Sequence, residues 1–163
     1  MREQASGKTG KPTEKRNKPE RPRDELGRPQ PRGTQNRLHL EDFDNLTLEQ
    51  NHALGLEHLR AGRYFQAHEA WETAWKQARD TGDAELFKGL SQMGAGYVHL
   101  LRGNAHGAVT LLRRAASRVE RYPSGHRGID TGALRDRLEA DARRIEDGEL
   151  APGEAATPDP PAV

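Results

Sequence analysis

Tyr64-Phe65-Gln66-Ala67-His68-Glu69-Ala70-Trp71-Glu72-Thr73-Ala74-Trp75 carries two helical stripes at once. Tyr64, Ala67, Trp71, Ala74 and Ala78 recur at helical spacing and form an apolar stripe of the kind that faces a core. Phe65, His68, Glu72 and Trp75 form the adjacent stripe, with two ionisable groups one turn apart between two aromatics. Burying an unpaired polar group costs roughly 1–3 kcal/mol. The second stripe is therefore either an internally satisfied network or a site. No period-two alternation long enough to argue a strand occurs between residues 42 and 148, so the folded part is predicted to be all-α.

Helix punctuation extends the reading in both directions. Thr47-Leu48-Glu49-Gln50 has the form of a capping box and opens a helix that stops at Gly62. A second helix starts near Tyr64 and ends before Gly82. Asp83 is placed to cap a third, Ala84 to Arg102, closed by Gly103, and Asn104 to cap a fourth, Ala105 to about Arg121. After Pro123 and Gly125, a charged fifth helix runs from about Thr131 to Asp147 on Leu134, Leu138 and Ile145. The expected architecture is a small helical bundle of two antiparallel hairpins plus a C-terminal helix. The Gly62 and Gly103 turns repeat at a spacing of about 41 residues, longer than the 34 of tetratricopeptide hairpins.

Composition sets the expected limits of the domain. Residues 1–41 read as a disordered basic arm, 42–148 as the helical domain and 149–163 as a disordered Pro-rich tail. Through Arg37 the chain holds 11 Lys and Arg against 5 acids, a net of +6, which leaves −5 on the rest. Such an arm suits nucleic acid or an acidic surface, though it lacks the aromatics used in base stacking. There is no cysteine, which excludes disulfides and thiolate chemistry. No stretch approaches the ~20 apolar residues of a membrane span and no secretion signal is evident, so a cytoplasmic protein without membrane contact is expected.

The third predicted helix is rich in glycine at Gly89, Gly94 and Gly96, which permits close approach of a neighbour. Gln92 and His99 share a face with Gly96. A close crossing of the second and third helices is expected to bring His68 and Glu72 toward Gln92 and His99.

Gly62 to Trp75, Phe87-Lys88-Gly89-Leu90-Ser91-Gln92-Met93, Tyr97-Val98-His99 and Arg102-Gly103-Asn104-Ala105-His106-Gly107-Ala108 resemble the bacterial and archaeal family known as domain of unknown function 309. The resemblance spans roughly Leu54 to Tyr122. It implies a small all-α bundle and no established activity, and it implies nothing for the basic arm.

The chemistry open to these residues is narrow. His68-Glu69-Ala70-Trp71-Glu72 lacks the second imidazole of the zinc-protease His-Glu-x-x-His, and only Glu49 to His52 has the Glu-x-x-His spacing that di-iron bundles need twice, so no metal and no cofactor are expected. A hydrolase using His68, Glu69, Glu72 and His99 as acid–base candidates, with or without a metal, is the alternative reading. No nucleophile motif accompanies them, and the balance leans away from an enzyme. The leading expectation is a module that binds a protein or ligand near the His68/Glu72 cluster, with Trp71, Trp75, Gln92, Tyr97 and Asn104 as binding candidates. Nucleic-acid association through the basic arm is a third reading, to which Arg113, Arg114, Arg118 and Arg121 of the fourth helix would add. The oligomeric state is not legible.

Overall fold

The computed structural model describes residues 20–154, 156 and 158–163. Among these residues five α-helices follow in order, α1 Leu48–Arg60, α2 Tyr64–Gln77, α3 Ala84–Leu101, α4 Ala105–Val119 and α5 Thr131–Glu146. Among the described residues there is no sheet, only one isolated bridge between Arg23 and Pro29. Each helix packs chiefly on its neighbours in the chain, so the fold is a serial up-and-down bundle.

The expected stops and starts act as read. Thr47 and Gln50 close a reciprocal capping box, with Gln50 N–H donating to Thr47 Oγ1 at 3.2 Å and Thr47 N–H to Gln50 Oε1 at 2.9 Å. Gly62 and Gly103 both take positive φ, which lets the next amide reach back to the fifth preceding carbonyl, Arg63 to His58 and Asn104 to His99. Asn104 then caps α4 through Gly107 N–H, and Asp130 caps α5 through Ala133 N–H. Asp83 departs from expectation. Its carboxylate accepts from His126 Nε2 and Arg127 Nε in the α4–α5 loop and makes no cap bond, because these two side-chain donors, one of them a guanidinium, outcompete one amide.

The glycines of α3 serve two different neighbours. A Cβ on Gly94 would lie 2.9 Å from the amide nitrogen of His68, so α2 crosses α3 in backbone contact there. Gly89 and Gly96 face the other way, against Arg118 and Leu112 of α4. Alanines and glycines thus bring three helices close, around a core that fully buries Trp71, Phe87, Leu90, Met93 and Tyr97.

Residues 20–41 run as a strap in which Asp24, Gly27 and Leu38 are buried. Residues beyond 148 also dock. Leu150 is buried, Gly153 N–H donates to Leu100 O at 2.8 Å, and Tyr64 O–H donates to Pro158 O at 3.0 Å. The part of the basic arm at 1–19 lies outside the described residues. No helix among the described residues is long and apolar enough to cross a membrane.

Candidate functional site

His68 occupies the middle of α2, where Gly94 admits the backbone of α3. Its Nδ1–H donates to the Ser91 carbonyl at 3.0 Å, with Ser91 Oγ also 2.9 Å away, and the Ser91 hydroxyl donates to the His68 carbonyl at 3.2 Å. That fixes the ring and turns Nε2 toward two carboxylates, Glu72 Oε2 at 3.2 Å and Glu69 Oε1 at 4.0 Å. Lys76 Nζ lies 3.5 Å from the other oxygen of Glu72. The three side chains are half-buried and open on one side.

With Nδ1 committed to Ser91, a neutral ring would point a lone pair at Glu72. A second proton resolves the conflict. Burial opposes charge on His68, but the hydrogen bonds to Glu72 and to the Ser91 carbonyl, with the nearby carboxylate charges, outweigh it and hold the imidazole above its ordinary value. The same hydrogen bond, aided by Lys76, pulls Glu72 down to about 2 against the effect of burial. Both shifts favour an imidazolium–carboxylate pair, with Glu69 alongside. His68, Glu69 and Glu72 offer donor atoms within 4.8 Å of one another and are the residues that could hold a cation once that proton leaves.

Among the described residues no hydrogen bond or ion pair ties Gln92 or His99 to the cluster. Ser91, one position from Gln92, is what α3 presents to His68, because Gly94 rather than Gly96 marks the face on α2. By spacing, Gln92 lies with Gly89 and Gly96 toward α4, and its buried Oε1 has no partner among the described residues. His99 Nδ1 accepts from Asn104 Nδ2 at 3.0 Å. Burial, with the positive charges of Arg102 and His68, holds His99 below its ordinary value. The expected convergence of His68 and Glu72 on Gln92 and His99 is therefore replaced by convergence on Ser91.

Trp71 and Tyr97 are fully buried. The Trp71 indole donates to His52 Nδ1 at 3.1 Å, leaving His52 Nε2–H to donate to Arg127 O at 3.0 Å. Both ring nitrogens of His52 are thus used in its neutral form, and burial lowers its pKa. Tyr97 donates to Asp141 at 2.7 Å, and Asp141 also receives Arg137 and Arg144. Asn104 is a helix cap. Trp75 alone among the proposed aromatics reaches the surface, with Lys88 Nζ 5.2 Å above its ring.

Asp141 was readable as an acid on the Leu134, Leu138, Ile145 stripe, yet the charge density of α5 suggested a solvated pair instead. The basic stripe of α4 is largely balanced. Arg113 pairs with Glu139 and Glu146, and Arg118 and Arg121 pair with Glu85.

The geometry of α2, α3 and the two glycine turns coincides with a known sequence pattern. Residues 53–111 match DUF309, described as Domain of unknown function (DUF309). The DUF309 stretch runs from within α1 into α4, so it holds the His68/Glu69/Glu72 cluster, its Ser91 partner and Gly94. The strap and α5 lie outside it. Neither the curated proteins nor the solved structures include a match to this chain.

A groove borders the cluster. It encloses about 680 Å³ between the strap, with Arg21, Arg23, Leu38, His39 and Leu40, and α2, with Phe65 and Glu69. Glu69 belongs to both the groove and the cluster.

Proposed function

We propose that the chain is a helical binding module whose recognition surface is the groove between the strap and α2. The observation that supports this is the shared carboxylate: a cavity large enough for several residues of a peptide ends on Glu69, beside the His68–Glu72 pair. Its chemistry is mixed. Arg21, Arg23 and His39 stand on the strap side, Glu69 stands opposite, and Phe65, Leu38 and the exposed Leu40 lie between. An extended peptide with an acidic group, an apolar side chain and a basic group complements all three. His68 suits a scaffold better than a general base, since it already holds its proton against Glu72 and its second nitrogen is tied to Ser91.

Titrating isotope-labelled full-length protein with a tetrapeptide acetyl-Asp-Leu-Leu-Lys-amide tests this reading. Amide shifts are expected at Arg23, Leu40, Phe65 and Glu69, with weaker binding in Glu69→Gln and to a peptide with Lys replaced by Glu. Shifts centred elsewhere, or equal for both peptides, would sink it.

A further inference from the structure

The strap is built unlike the rest of the molecule. Its turn, residues 22–30, satisfies itself: Asp24 N–H donates to Arg28 O, Gln30 N–H to Pro22 O, and the buried Asp24 carboxylate accepts from the amides of Leu26 and Arg28 and from Arg28 Nε. A polar group that brings its partners with it loses nothing when its segment moves. Docking, by contrast, uses few contacts. Gly27, at φ +77°, lies flat on the Phe65 ring, so close that a Cβ would fall 2.3 Å from a ring carbon. The Leu26 carbonyl accepts from Arg102 at 2.5 Å, and Arg28 pairs with Glu154 between exposed side chains.

Residues 31–37 are exposed, yet Arg37 N–H donates to Arg23 O at 2.9 Å and Arg23 N–H to Asn36 Oδ1 at 2.9 Å, so the connector closes back on the turn. The next fixed point is Leu38, followed by Glu41 on His58. Turn and connector thus form one self-bonded unit, a latch hinged on the Leu38 peg. Beneath the latch lie Phe65 and the groove that ends on Glu69.

We propose that residues 20–37 are a reversible latch over Phe65 whose undocking, as a preformed unit, opens the α2 face beside the His68/Glu69/Glu72 cluster. Its purpose rests on the groove reading above, but its existence does not. In the docked state Phe65 is 9% exposed and the strap closes one wall of the groove. Undocking uncovers that ring and the flank of Glu69, so an incoming chain can enter before Arg21 and Arg23 close back on it as the wall of the groove. Local opening of this kind belongs to segments with few buried apolar contacts.

Nuclear magnetic resonance of the full chain tests the latch without any ligand. The Gly27 Hα protons, stacked on Phe65, carry a ring-current shift that reports docking. In Arg102→Ala, and independently in Glu154→Gln, that shift is expected to fall, by at least half in the double variant. Leu26 and Arg28 amides, bonded to Asp24, should keep their positions, and wild-type relaxation dispersion should appear at Gly27 and Phe65 but not in α5. An unmoved Gly27 shift in the double variant, without dispersion in the wild type, would show a static strap. Loss of the Leu26 and Arg28 positions together with the Gly27 shift would overturn the rigid latch in favour of local melting. Neither result depends on whether the tetrapeptide binds.

Discussion

Glu72 and His68 couple the fold to pH in opposite senses. The raised His68 contributes stability that is complete below its unfolded value of 6.5 and is lost as pH rises through the folded one. The depressed Glu72 contributes stability that is complete above 4.5 and is lost as pH falls toward about 2. The pair therefore acts fully between about 4.5 and 6.5. Thermal melts of wild type and Glu72→Gln across pH are expected to differ most in that window and to converge on either side. His52 acts in the reverse direction, losing stability as pH drops below 6.5, since its Nδ1 must stay free of a proton to accept from Trp71. Because His52 is common to both proteins, it cancels in the comparison. The anomaly of a His and a Glu among aromatics was visible in the sequence. Its partner was not, because Ser91 and Gln92 are one residue, or about 100° of helix, apart and only the packed α2 decides between them.

At the scale of elements, caps and glycine stops were legible because they are local: Thr47, Asn104, Gly62 and Gly103 each act within a few residues. The orientation of α3 was not, since three glycines on one helix do not say which neighbour each one faces. Substitution separates them. Gly94→Ala gains up to ~1 kcal/mol of helix propensity, but its methyl meets the backbone of His68, so a net loss within the ~1–3 kcal/mol of overpacking is expected. Gly96→Ala meets first the Leu112 side-chain end, which can turn away, and should cost less. Urea titrations of the two variants would reverse this assignment if Gly96→Ala proved the more damaging.

For the whole molecule, the lock between α3 and α5 is Asp141, 1% exposed and bound by Tyr97, Arg137 and Arg144. Asp141→Ala leaves the buried Tyr97 phenol without its acceptor, while the part-exposed Arg137 and Arg144 keep water and other partners, and a loss of about 1–3 kcal/mol is expected by chemical denaturation. Tyr64→Phe, which removes the donor to Pro158, should cost about 0.5–1.5 kcal/mol and loosen the tail first. Proteolysis confined to residues beyond 148 would report that loosening.

The two-sided glycine pattern of α3 also bears on how such a chain can change over time. Gly94 serves α2 while Gly89 and Gly96 serve α4. Inserting or deleting one residue among them would swing part of the set by about 100° and push Cβ-bearing positions into both neighbours. Exposed positions can drift in identity, but the count from 89 to 96 is pinned. Length variation among natural versions of this segment should therefore collect in the loops and leave α3 untouched.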